Sequence, residues 1–175
     1  MGRPGRLGRL GRSGRLMLLH LLRHAHAGDP SRWGGPDAER PLSDKGREQA
    51  DRLGRSLADW GFLPGAVLTS PKVRARETAE LVAGHLGVAV TVEDRLAEAA
   101  DLATVAAILR DAEHPDRPVL VGHDPDFSEL LEGLCGTALP MRKGTFVRIE
   151  VATPLRGGAG KLRWLVPPDL LKPGD

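Results

Sequence analysis

The chain is predicted to adopt an α/β fold: a three-layer sandwich with helices on both faces of a mostly parallel central sheet and an antiparallel edge. Three observations lead there. Short apolar runs alternate with helical segments over most of the 175 residues. Residues 17–23 and 119–122 are apolar almost throughout, as strands covered on both faces are. Toward the end the period changes to two: Thr145, Val147, Ile149 and Val151 alternate with Phe146, Arg148 and Glu150.

Taken in order, residues 17–23 form the first strand, and the Gly/Pro/Asp-rich residues 28–41 form a loop. Ser43 can cap a helix whose apolar stripe is Gly46, Ala50, Leu53, Leu57 and Trp60, with Gly61 and Pro64 ending it. Residues 66–69 read as a short strand. Pro71 then opens a second helix with Ala75, Ala79, Val82 and Leu86 inward and Gly87 as its stop. Arg76 and Glu77 read as a solvated or locally paired face of that helix. Residues 88–92 read as a strand, and a loop through Arg95 to Ala100 follows. A helix from about Asp101 uses Leu102, Val105, Ala106 and Leu109 and must end before Pro115. Residues 119–122 return to the sheet, and residues 126–135 form the last helix, burying Phe127, Leu130, Leu131 and Leu134. A turn at Gly157-Gly158-Ala159-Gly160 joins the final two strands as a hairpin.

Composition sets limits. Apolar residues make up 41% and charged residues 27%, ordinary for a globular chain of one domain. Cys135 is the only cysteine, which excludes an intrachain disulfide and a cysteine metal cage and fits a reducing compartment, the cytoplasm. No run approaches the roughly 18 apolar residues of a membrane span. Arg3, Arg6, Arg9, Arg12 and Arg15 recur every third residue in a Gly-rich start; without them 20 basic residues face 23 acidic ones. The high pI therefore belongs to residues 1–16, expected as a flexible extension, and a nucleic-acid partner is not expected. A targeting segment, or a start ahead of the true one at Met17, remain the other readings of that run.

Two apolar runs end in a histidine: Leu21-Leu22-Arg23-His24-Ala25 and Val121-Gly122-His123. Between them lies Ser70-Pro71-Lys72-Val73-Arg74. All three fall where strands hand over to loops, the end of an open α/β sheet at which ligands bind. Two imidazoles and two guanidiniums suit a phosphoryl group, since arginine donates in a planar fork to a phosphate's oxygens. His24 can be the nucleophile, forming a phosphohistidine. His123 can stabilise the transferring group. His20 reads as a satisfied core histidine. The pair His24 and His26 with His123 has metal-ligand character, but Arg23 and Arg74 would repel a cation, so neither metal nor cofactor is expected.

Four ordered motifs resemble those of the histidine phosphatase superfamily, the phosphoglycerate-mutase-like fold. They are Arg23-His24-Ala25, Pro41-Leu42-Ser43-Asp44-Lys45-Gly46-Arg47-Glu48-Gln49-Ala50, Ser70-Pro71 through Arg74-Ala75-Arg76-Glu77-Thr78-Ala79, and Val121-Gly122-His123. Ala25 stands where that family usually has glycine. The resemblance covers residues 17–172 as a single domain. It implies that His24 is phosphorylated and that Arg23, Arg74 and His123 complete a substrate-binding phosphate pocket. Only 48 residues separate Arg74 from His123, too few for a large inserted lid. With the ending Trp164-Leu165-Val166-Pro167-Pro168, this looks most like the SixA branch, phosphohistidine phosphatases acting on proteins.

Glu98 lies where monoester-cleaving relatives keep a proton donor, and Asp101 is a second candidate whose simpler role is a helix cap. The partner is thus a phosphoprotein or, as the alternative, a small sugar or nucleotide phosphate. The chain is expected as a monomer or weak dimer. A phosphate-binding module without turnover is the third reading.

Overall fold

Strand β1 (Leu16–Arg23) occupies the middle of the sheet because both of its faces are apolar. Leu19 and Leu21 point to one side, His20 and Leu22 to the other, and all four are fully buried. The computed structural model describes residues 14–172. Most of the Gly/Arg-rich run expected to be flexible lies outside the described residues.

Parallel to β1 runs β4 (Pro118–Gly122), and antiparallel to it runs β5 (Phe146–Ala152). Strand β2 (Ala66–Thr69) pairs in parallel with β4 and with β3 (Thr91–Val92). On the opposite edge β6 (Lys161–Val166) closes the hairpin with β5, giving the order β3-β2-β4-β1-β5-β6. The expected mostly parallel sheet with an antiparallel edge is what forms.

Helices α1 (Asp44–Asp59) and α2 (Val73–Leu86) cover one face, packing Ala50, Leu53, Leu57, Ala75 and Ala79 on Leu22, Val67, Val121 and Phe146. Helices α3 (Leu102–Asp111) and α4 (Asp126–Cys135) cover the other, packing Val105, Ile108, Phe127 and Leu131 on Leu19, Leu21, Leu120 and Ile149. Ser43 caps α1 by accepting from the Gly46 amide, Asp101 caps α3 by accepting from Thr104, and Gly87 ends α2 in the left-handed region at φ 66°. His20 is a core residue: its Nδ1 donates to the Pro118 carbonyl and its Nε2 accepts from Arg148.

Local details depart from the periodicity. Trp60 follows the last turn of α1 and is 57% exposed, because the helix has ended and its side chain no longer follows the stripe. Pro71 stands ahead of α2, whose cap position is Lys72. Of residues 88–92 only Thr91 and Val92 pair, since β2 offers just Leu68 and Thr69 to this edge; Val88 and Val90 pack as loop residues instead. The sheet also begins at Leu16, with the Arg15 carbonyl accepting from Thr153, so these two residues belong to the fold rather than to an extension.

Because β1, β2 and β4 are parallel, their carboxyl ends open on one side of the sheet. Ser70 and His24 leave it still tied to β4, the Ser70 amide donating to Val121 and the His24 amide to Gly122. Helix α1 seats against this end, and a Cβ on Gly46 would meet the His26 carbonyl oxygen at 1.9 Å. The clash is with backbone, so no rotamer relieves it. Gly46→Ala should therefore cost about 1–3 kcal/mol of stability, measured by urea unfolding; an unchanged midpoint would contradict this seating.

Candidate active site

The first residue beyond β1 is His24, 5% exposed. Its Nδ1 lies 2.8 Å from the Ala25 carbonyl oxygen. A carbonyl only accepts, so Nδ1 carries the proton and Nε2 keeps a lone pair. That lone pair faces Arg74, whose Nε donates to it at 3.3 Å. Arg74 comes from the first turn of α2 and is 5% exposed. Its other donors go to Asp37, Nη1 to the carbonyl at 2.7 Å and Nη2 to the carboxylate at 2.9 Å.

Opposite stands His123, at the end of β4, its ring centroid 5.3 Å from that of His24 and the planes inclined by 55°. Its Nε2 is 2.7 Å from the Ser70 hydroxyl, while its Nδ1 is buried with no partner among the described residues. Arg23 completes the ring. Its Nη1 donates to the Met141 carbonyl at 2.6 Å and lies 3.5 Å from the Asp124 carboxylate, and its Nε is buried and unpaired. An unpaired buried donor is costly unless a ligand supplies the acceptor. In the turn before β5 the Gly144 amide donates to the carbonyls of both Arg23 and His24, fixing the backbone where the strand ends.

Electrostatics follow from burial. Desolvation pulls the pKa of His24 to about 3, with His123, Arg74 and Arg23 adding repulsion. Desolvation does the same to His123, to about 3, aided by Arg74 and Lys72. Both rings are therefore neutral near pH 7. Burial works against the charge of Arg74, and Asp37 supports it. Desolvation would raise the Asp37 carboxyl, but hydrogen bonds and charges of Arg40 and Arg74 hold it below the ordinary range. The result is an anion pocket with a neutral, lone-pair-bearing nitrogen at its base. Among the described residues no group of three His, Cys, Asp or Glu side chains converges as a metal ion requires.

His24, Arg23, Arg74 and His123 thus come together. Glu98 does not join them: it is exposed, in the loop after a 3-10 turn at Asp94–Leu96, and bonds to none of the four. Asp101 serves as the cap of α3. Glu77 is more than a solvated helix residue, since its carboxylate accepts from the Leu42 amide at 2.7 Å and pairs with Arg47, tying the approach to α1 onto α2. Asp37 was missed. It sits in a 3-10 turn at Asp37–Glu39, where its carboxylate also meets Arg40, and Arg40 is buried with Nη1 on the Ala27 carbonyl. One aspartate among several in a loop carries no periodic signal.

Comparison with known proteins agrees with this geometry. The family model for the histidine phosphatase superfamily (branch 1) matches residues 19–133. An uncharacterised protein of Picosynechococcus is 35% identical over 154 residues, 84% of this chain and 89% of the relative. The 8-oxo-(d)GTP phosphatase of Mycolicibacterium smegmatis is 32% identical over 122 residues, 67% of this chain but only 37% of that protein. Among solved structures, the protein histidine phosphatase SixA complexed with tungstate superposes with a TM-score of 0.77 and 25% identity, covering 89% of this chain and all of that one.

The buried histidines set a pH dependence. His20, His24 and His123 are held at about 3 against an ordinary value of 6.5. Between those values the unfolded chain binds protons that the folded chain refuses, so stability rises with pH across that window. The thermal unfolding midpoint should therefore fall progressively as pH drops below about 6.5. Imidazole NMR should find all three rings neutral at pH 5, and inorganic phosphate should raise the pKa of His24 and His123 but not His20. A midpoint near 6.5 for either site ring in the free protein would contradict the assignment.

Proposed function

The chain belongs to the histidine phosphatase superfamily, and on that premise we propose that it removes phosphoryl groups through a covalent intermediate on His24, with phosphohistidine in a protein as preferred substrate. The observation that carries this is the neutral His24 Nε2, hydrogen-bonded by Arg74 Nε, with the His123 ring 5.3 Å from its own and Arg23 beside it in the chain.

In the first step the His24 Nε2 lone pair attacks phosphorus. The hydrogen bond from Arg74 Nε gives way, and the guanidinium turns its donors to the phosphoryl oxygens. Arg23 and the unpaired Nδ1 of His123 serve the same oxygens, matching charge that builds on them in transfer. The P–N bond of the substrate breaks and the leaving imidazole keeps or gains a proton. It protonates readily, so this step makes less demand on a strong protein acid than an alkoxide would. Water then attacks phospho-His24, releasing inorganic phosphate and restoring the imidazole. The cations that balance the phosphoryl charge are the protein's own, so the reaction is proposed to proceed without a metal.

Two features favour a protein substrate. Between α2 and β4 there is only β3, a 3-10 turn and the ten-residue α3, so no large insertion stands there to cover the site. The similarity to SixA also spans that structure's full length. The reading goes with a cytoplasmic monomer or weak dimer. A small-ester substrate is favoured instead by the Mycolicibacterium relative and would use Glu98, exposed in the loop between the 3-10 turn and α3, as proton donor.

His24→Ala should lower turnover of a phosphohistidine protein by at least about 10³-fold, and rapid quench of the unaltered enzyme and labelled substrate into alkaline denaturant, in which the acid-labile P–N bond survives, should trap phosphate on His24. Retained turnover by that variant would reject the mechanism. In a panel run with chelator, the phosphohistidine protein should exceed sugar and nucleotide monoesters in kcat/KM. A loss of about tenfold or more in monoesterase activity on Glu98→Gln, with esters preferred, would move the assignment to small phosphates.

A further inference from the structure

Ser70 is the first residue beyond β2 and is fully buried. Its amide donates to the Val121 carbonyl at 2.9 Å, which pins it to β4 two residues ahead of His123. Its hydroxyl oxygen lies 2.7 Å from His123 Nε2 and accepts from the Lys72 amide at 3.3 Å. The steps of phosphoryl transfer leave this residue without a task.

Counting protons shows which way the short contact runs. A hydroxyl has one proton and two lone pairs. The Lys72 amide uses a lone pair, and His123 Nε2 is the one other partner of the hydroxyl among the described residues. If Nε2 carried the ring proton, the hydroxyl would accept twice. Its own proton would then lack an acceptor in a fully buried place, a costly arrangement. If the hydroxyl donates to Nε2, its proton is answered, and the ring proton goes to Nδ1. That nitrogen is buried and has no partner among the described residues, so it stands as a donor awaiting an acceptor.

We propose that Ser70 is a positioning residue: its hydroxyl donates to His123 Nε2 and fixes that ring as the Nδ1–H tautomer, a donor to the phosphoryl oxygens with no lone pair left to attack or to take a proton. The two rings then differ through their partners rather than their charge. The Ala25 carbonyl holds the His24 proton on Nδ1 and leaves Nε2 bare, whereas Ser70 occupies the Nε2 of His123 and leaves an N–H. One imidazole is set as nucleophile and the other as donor. This rests on the reading that the phosphoryl group is transferred at His24, and extends it to how the second ring is assigned its part.

Long-range proton–nitrogen NMR of the free protein near neutral pH tests the assignment directly. It should show His123 protonated on Nδ1 and bare on Nε2, and Ser70→Ala should move the ring toward the Nε2–H form. Ser70→Ala should also lower kcat about tenfold with KM little changed, less than outright removal of such a donor costs. In a His123→Ala background the same substitution should change kcat by a factor of about one, because Ser70 acts through the ring. That double-mutant cycle separates the role from any disturbance of the start of α2 through the Lys72 amide. An Nε2–H ring in the unaltered protein, a tautomer unmoved by Ser70→Ala, or a full further loss with His123 already removed would overturn the proposal. Absent turnover of every phosphate, beside an Nδ1–H ring that Ser70→Ala shifts, would reject the phosphatase reading and uphold the part played by Ser70.

Discussion

A buried guanidinium is costly unless its donors find acceptors, and the carboxyl edge of this sheet is organised around how Arg74 meets that demand. One donor goes to the nucleophilic face of His24 and the others to Asp37. Asp37 is shared with Arg40, and Arg40 is buried against the Ala27 carbonyl. The chain of contacts therefore closes on the segment that follows His24. The loop between β1 and α1 has little regular structure, yet it is held at its centre by two arginines and at its end by Glu77 on the Leu42 amide. Charge satisfaction shapes this loop together with the burial of Ala25, Ala27 and Leu42 in the core.

The same arrangement reconciles burial with reactivity. A nucleophilic imidazole needs its lone pair, and burial beside positive charge keeps it unprotonated. The Ala25 carbonyl fixes the proton on Nδ1, so the free nitrogen is the one turned to the hollow. Positive groups gathered without a full complement of carboxylates cost stability in the free protein, as sites shaped for a charged ligand commonly do. The apolar layers on both faces of the sheet supply the stability that this end lacks.

Strand and helix identities were legible because burial imposes periods. Two-sided burial makes β1 and β4 continuous apolar runs, and one-sided burial makes α4 an amphipathic helix of the expected extent. The pocket residues were legible for a related reason: they follow directly on such runs, where parallel strands must end together. Trp60 and β3 were misjudged because helix ends and edge strands are decided by what is available to pair or pack, not by the residue's own preference. Asp37 and the Ser70 contact to His123 could not be read, because each depends on segments distant in sequence meeting at one point.

From residue order alone came the layered α/β architecture, the helix caps at Ser43 and Asp101, and the four groups of the pocket, since these rest on periodicity and on short-range chemistry. Folding in three dimensions decided which nitrogen of His24 is free, which carboxylate holds Arg74, and that Glu98 stands apart in its loop. Hydrogen bonds and charges act over a few ångströms through space, and chain separation, 37 positions from Asp37 to Arg74, carries no record of that closeness.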